Sequence, residues 1–180
     1  RYWGTPEPPH PGQKRPTLED LARYPIVTYE VIFTGSSTEA TNTLMFGAPV
    51  NKILFTAIEH ASVYECRPAD KEVIEFAALE NGLVDVADLE QKLNALPDGN
   101  FLVSVMLANN ETGAIQPIEE ISKLVHQKGG LFHCDLVQAV GKIPVDLEKI
   151  NADFASIAAH KLNGPQGVGA LLIRKGLDIK

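Results

Sequence analysis

The sequence predicts an α/β fold, with a mostly parallel central sheet and helices on both faces. Three observations lead there. Seven short β-rich runs are spread along the chain, amphipathic stretches alternate with them, and several runs are apolar at consecutive positions, as strands buried on both faces are. Residues 1–25 stand apart by composition: Thr5-Pro6-Glu7-Pro8-Pro9-His10-Pro11-Gly12 reads as an extended arm or irregular loop. Residues 26–180 are expected to form one compact unit, without internal repeats or low-complexity tracts.

Within that unit the first run, 31–34, leads into a helix over 38–46. Runs at 52–56 and 73–76 follow, then a helix over 86–96 and a long apolar strand over 101–107. The helix over 118–128 places Ile118, Ile121, Leu124 and Val125 on one face. Pro117 is acceptable at its first turn, and Gly129-Gly130 ends it. Strands over 131–134, 154–158 and 169–173 complete the pattern.

Composition excludes several function classes. The net charge of −7 gives no electrostatic reason to expect nucleic acid or an anionic membrane as partner, although a locally basic pocket for a small anion remains compatible with it. Two cysteines, Cys66 and Cys134, make no disulfide framework and no metal-type spacing, and suit a reducing compartment. No apolar stretch approaches the length of a bilayer span, and no hydrophobic signal region opens the sequence, so a soluble cytoplasmic protein is expected. The chain begins at Arg1 without a methionine, as a processed, excised or incomplete product does.

In a parallel sheet ligands gather beyond the carboxyl ends of the strands, so the polar residues after each run carry the chemistry. Lys161 follows an apolar strand and precedes the glycine-rich Gly164-Pro165-Gln166-Gly167-Val168-Gly169. A lysine there is expected to be poorly hydrated, and its neutral amine can form a Schiff base with a carbonyl, the way proteins hold pyridoxal phosphate. A surface cation closing a strand is the alternative. The turn Thr34-Gly35-Ser36-Ser37-Thr38-Glu39 offers hydroxyls and a helix start to a phosphate, or is an ordinary helix cap. Asp135, ending a buried run, needs a cationic or hydrogen-bonding partner: a pyridinium nitrogen, or a capping amide. Glu59-His60 and Asn109-Asn110-Glu111-Thr112-Gly113 end two further runs, with His60 taken alone reading as a hydrogen-bonded core histidine. His133 and Asp135 lie two apart on one strand face, so with His60 or His160 they form a metal-binding alternative. A serine-hydrolase elbow and a dinucleotide fingerprint both fail: Gly35-Ser36-Ser37 lacks the second glycine, and the 164–169 turn precedes a strand instead of opening a helix.

Taken jointly and in order, Ile32 to Asn42, Glu59 to Val63, Val103 to Gly113, Gln116 to Ile118, Phe132 to Asp146 and His160 to Arg174 resemble the cysteine desulfurases of the NifS/IscS type, in the class V aminotransferase superfamily of pyridoxal phosphate enzymes. The resemblance covers about residues 30–175. It implies a three-layer sandwich, the large domain of the fold-type I transferases. It also implies pyridoxal 5'-phosphate as cofactor, L-cysteine as substrate and a homodimer. Sulfur would pass to an enzyme cysteine and on to an acceptor protein for iron–sulfur cluster or thio-cofactor assembly. By resemblance, Lys161 carries the cofactor and moves the substrate proton. Asp135 keeps the pyridine nitrogen protonated, and His60 stacks on the ring and, with Lys161 a catalytic residue, assists proton transfer. Asn110 and Gln138 lie near the ring hydroxyl, and Ser37, Thr38 and His160 form the phosphate cradle.

The chain departs from the family pattern in places. Ala158 stands where a phosphate-binding serine is usual, and the glycine of the phosphate turn comes one place early, at Gly35. The family helix before the first strand is shortened to about 18–23, and the stretch after Val63 is short. Family members also continue into a small C-terminal domain with the nucleophilic cysteine and a carboxylate-binding arginine, which this sequence does not reach by Lys180. Cys66, expected in the helix after the stacking histidine, and Cys134 match no such nucleophile and read as buried apolar residues. Selenocysteine lyase or cystine lyase chemistry on the same lysine and aspartate is one alternative, and a non-catalytic cofactor-binding domain is another.

Overall fold

In the computed structural model, which describes residues 29–179, the sheet has seven strands: β1 (Tyr29–Thr34), β2 (Lys52–Thr56), β3 (Glu72–Phe76), β4 (Phe101–Met106), β5 (Leu131–Asp135), β6 (Phe154–Ala158) and β7 (Gly169–Arg174). The proline-rich arm and the helical stretch at 18–23 lie outside the described residues. Among the described residues five helices accompany the sheet: α1 (Ser37–Gly47), α2 (Ala61–Tyr64), α3 (Val86–Asn94), α4 (Ile118–Gln127) and α5 (Leu147–Ile150), with a 3-10 helix at Ala159–Leu162. No helix among the described residues is long and apolar enough to cross a membrane.

The strand order is β1-β7-β6-β5-β4-β2-β3. β3, β2, β4, β5 and β6 run parallel, whereas β7 pairs antiparallel with both β6 and β1. From β2 the chain moves outward to β3 and then returns to the other side of β2 as β4. The order therefore reverses between β2 and β4, and the crevice that such a reversal opens at the carboxyl ends is the natural ligand site.

Each face of the sheet has its own core. Leu54, Val103, Val105, Phe132, Cys134 and Ala155 pack with Leu89 and Leu93 of α3, Ile118, Ile121 and Val125 of α4, and Ile150 of α5. Ile53, Phe55, Leu102, Phe154, Leu171 and Ile173 pack on the opposite face with Ala40, Leu44 and Met45 of α1 and Val63 of α2. Strand side chains alternate between faces, so a run apolar at every position, such as Phe101-Leu102-Val103, feeds both cores at once. Each fully buried aromatic or aliphatic side chain contributes roughly 1.5–3 kcal/mol. β1 is the exception: it is an edge strand, with Phe33 80% exposed.

Helix ends follow their local chemistry. Gly129 takes a left-handed φ of 69° just past α4, and Gly130 follows because a Cβ there would fall 2.1 Å from the Phe101 ring. The helix after His60 is shorter than expected. It stops at Tyr64, so Cys66 lies beyond it, buried against the core shared with α1. At the amino ends of the parallel strands, buried Asp153 joins three elements. Its Oδ2 accepts from Phe132 N and pairs with His126 Nε2, each at 2.8 Å, while Arg174 Nε lies 3.2 Å from Oδ1.

Candidate active site

A cavity of about 390 Å³ opens at the carboxyl ends of the parallel strands. It is lined by Ser36, Ser37, Thr38, His60, Met106, Ala108, Asn110, Glu111, Asp135, Val137, Gln138, His160 and Lys161. All eight residues singled out from the sequence, Ser37, Thr38, His60, Asn110, Asp135, Gln138, His160 and Lys161, meet there. They come from the ends of β2, β4, β5 and β6 and from the start of α1, far apart in sequence and joined by the reversal of strand order. The size is that of a small-molecule site, roughly 300–1,000 Å³.

Ser36 caps α1: in extended backbone, φ −166°, its Oγ accepts from Glu39 N at 3.1 Å, while Glu39 Oε2 accepts from Gly35 N at 2.6 Å. The early glycine does not distort this turn, because Gly35 lies outside the left-handed region. The first N–H groups of an eleven-residue helix lack intrahelical partners and carry the positive end of its dipole, so Ser37 and Thr38 present an anion site to the cavity. Gly169 makes the approach possible, since a Cβ there would fall 2.5 Å from the Ser36 carbonyl carbon. Ala158 is paired with Gly169 in register, so the missing hydroxyl adjoins the same helix start.

Asp135 is 6% exposed, and its Oδ1 accepts from Val137 N at 2.8 Å. Burial raises its carboxyl to about 6, opposed by the Val137 bond and by His60 nearby. The capping amide anticipated as an alternative is thus present, and the carboxyl still faces the cavity. His60 is exposed and lines the cavity, so it is not a core histidine. Its Nδ1 accepts from Ser62 N at 3.1 Å, which leaves the proton of the neutral ring on Nε2. The core histidine is His133: fully buried, with Nδ1 2.8 Å from Ser104 Oγ and Nε2 3.2 Å from Ser156 Oγ. Among the described residues no group of three or more His, Cys, Asp or Glu is placed to hold a metal ion.

The expected desolvation of Lys161 is not observed. β6 ends at Ala158, the chain turns into the 3-10 helix, and the lysine stands exposed at the cavity. Asn109 shapes the neighbouring loop: its Oδ1 accepts from Glu111 N and Thr112 N, both at 2.9 Å, and so presents Asn110 and Glu111 to the cavity. Gln138 accepts from Lys142 at the rim. Glu59, placed by the sequence at the end of an apolar run but given no role there, lies with its carboxyl buried behind the wall. Cys66 and Cys134 are free and buried, and burial pushes both thiols up, Cys134 further still because of Asp135 and Glu59.

Residues 24–180 match the aminotransferase class-V family. The chain belongs to that family. It is 42% identical over 155 residues to the cysteine desulfurase IscS of Rickettsia massiliae (strain Mtu5), covering 82% of this chain and 38% of the relative. The fold matches the crystal structure of a NifS-like protein from Rickettsia africae ESF-5 at a TM-score of 0.80 and 37% identity, over 84% of this chain and 42% of that one. It also matches the apo structure of a cysteine desulfurase from Thermococcus onnurineus NA1 at 0.71 and 29%, over 81% of this chain and 38% of that one. The resemblance to cysteine desulfurases and the fold-type I large-domain architecture are both borne out, and the chain spans about two-fifths of the length of these relatives.

His133 gives the family fold an acid-sensitive point. Burial lowers its pKa from 6.5 to about 3, so the folded state favours the neutral ring. The stability this confers is complete above 6.5 and is lost as pH falls toward 3, by about 3 kcal/mol at pH 4. Urea unfolding at pH 7 and pH 4 should therefore show His133→Gln losing about 3 kcal/mol less on acidification than the unsubstituted chain. Equal losses in the two proteins would remove His133 as the cause.

Proposed function

We propose that this chain is the pyridoxal phosphate-binding domain of a cysteine desulfurase-like enzyme, residues 26–180, acting on L-cysteine. The observation that carries the reading is the convergence of all eight residues on one cavity at the sheet's reversal point. The donor set fits the cofactor. A helix start with hydroxyls suits a phosphate dianion, a buried carboxylate suits a protonated ring nitrogen, and the primary amine of Lys161 lines the same cavity.

When bound, the cofactor supplies an electron sink for the charge left at the substrate α-carbon. Lys161 would hold it through Nζ and serve as the base for the substrate α-proton. Asp135 would keep the proton on the ring nitrogen. His60, its proton on Nε2, would pack against the ring and donate toward substrate. Ser37, Thr38 and His160 would hold the phosphate, with Asn110 and Gln138 near the ring hydroxyl. The resemblance to cysteine desulfurases motivates a sulfur acceptor and a homodimer for the whole protein.

Sulfur transfer also needs a thiolate, and neither described cysteine offers one, since both are buried with their thiols pushed up. That observation favours a second reading, a chain that holds and activates the cofactor without completing transfer. Borohydride trapping with pyridoxal phosphate, followed by peptide mass spectrometry, tests both readings. The adduct should map to Lys161, and L-cysteine should leave no persulfide on Cys66 or Cys134. A chain that traps no cofactor would sink both readings, and a persulfide on either thiol would sink the second.

A further inference from the structure

Glu59 directly precedes His60, yet it does not line the cavity. It is 8% exposed, and its Oε1 accepts from Met106 N at 3.0 Å. Met106 ends β4, pairs in register with Asp135, and lines the cavity. The backbone ladder between β2 and β4 stops at Phe55 and Ser104, because the two chains part where the strand order reverses. Beyond that point side chains hold the segments together: Glu59 onto Met106 N, and Asn109 Nδ2 onto Ile58 O at 2.9 Å. Glu59 Oε2 is buried and has no hydrogen-bond partner among the described residues.

We propose that Glu59 is a positioning residue: its carboxyl replaces the backbone ladder where β2 and β4 part, and so fixes His60 relative to Asp135. The inference rests on reading the cavity as a cofactor site. A chain crossing from β2 to the start of α2 with no ladder to β4 would leave the imidazole free to shift, whereas a buried hydrogen bond one residue away removes that freedom. The protonation state agrees. Burial holds the Glu59 carboxyl well above the usual range, with Asp135 adding to the shift and the Met106 bond opposing it. The titratable groups nearby are Asp135 and Cys134 on β5 and His60 at the cap of α2. A Glu59 carboxyl held above its usual range competes less with Asp135 for negative charge, and Asp135 is the group a ring proton requires.

The test uses Glu59→Gln, which keeps the acceptor and the volume but cannot ionise, and Glu59→Ala, which removes the bond. In the cofactor-free chain, NMR of the His60 ring and the Met106 amide should be unchanged in the Gln variant. In the Ala variant the ring signals should be displaced and amide exchange faster. Carbon-detected titration of the unsubstituted chain should find Glu59 titrating above the ordinary carboxylate range. With pyridoxal phosphate, the Gln variant should bind as the unsubstituted chain does and the Ala variant about tenfold more weakly. The proposal is overturned by a Glu59 that titrates in the ordinary carboxylate range, by His60 signals indifferent to the Ala change, or by a Gln variant as weak as the Ala one. If the unsubstituted chain binds no cofactor, the cofactor reading fails, and the His60 and Met106 signals still decide the role of Glu59. Should the Ala variant not fold, Glu59→Asp, which shortens the side chain, takes its place in every measurement.

Discussion

Lys161→Ala is expected to abolish covalent cofactor capture while leaving the fold intact. The lysine is exposed at the cavity and makes no hydrogen bond or ion pair among the described residues, so its removal should change stability by no more than about 0.5 kcal/mol. The chemistry loses both an anchor and a base. Borohydride should trap no adduct, and the visible absorption of a lysine-bound cofactor should vanish. Any turnover in the full-length enzyme should fall by roughly 10²–10⁴-fold or more from the base alone. Weak binding should persist, because the phosphate site at Ser37 and Thr38 and the carboxylate of Asp135 remain. A variant that still traps a full equivalent at another lysine would end the assignment of Lys161. A variant that loses its cooperative unfolding would show the lysine to be structural.

Much of this was legible in the sequence, for physical reasons. Buried parallel strands announce themselves as unbroken apolar runs, so 52–56, 101–107 and 154–158 were placed within a residue or so of β2, β4 and β6. Because ligands collect at the carboxyl ends of such strands, the first polar residues after them, His60, Asn110, Asp135 and Lys161, were also within reach. The shorter elements were less so. α2 and α5 have four residues each, little more than one turn, and no periodicity registers over that length, so α5 went unplaced and α2, expected only through the resemblance, proved too short to hold Cys66. Side-chain environment was equally hidden: which histidine is in the core depends on Ser104 and Ser156, brought to His133 by neighbouring strands. The exposure of Lys161 depends on a 3-10 turn that the apolar run could not foretell. The role of Glu59 was not legible, because its partner is a backbone N–H 47 residues away, a contact created only by strand order.

Asp135→Asn is expected to stabilise the cofactor-free chain and at the same time to cripple cofactor binding. A carboxyl raised from 3.8 to about 6 favours folding while it is protonated: its contribution is complete below 3.8 and is lost as pH rises through 6. At neutral pH the folded state therefore carries a buried charge at a cost of about 3 kcal/mol. Asparagine keeps an acceptor for Val137 N and has nearly the same volume, so it removes the cost without opening a cavity. In a chain of this size the gain at pH 7 should raise Tm by roughly 6–12 °C, and it should disappear near pH 3.5. His133, two residues away on the same face, loses stability over an overlapping range in the opposite sense, so the difference between variant and unsubstituted chain is the quantity to read. With pyridoxal phosphate added the order should reverse. The unsubstituted chain gains thermal stability because its carboxylate meets a ring proton, and the variant, having no charge to offer, gains little. This is the pattern of a site whose folded state holds a charge in readiness for a ligand, trading stability when empty for affinity when filled. An Asp135→Asn chain that melts lower than the unsubstituted one at pH 7, or that gains as much from the cofactor, would show that Asp135 holds the fold and not the ring.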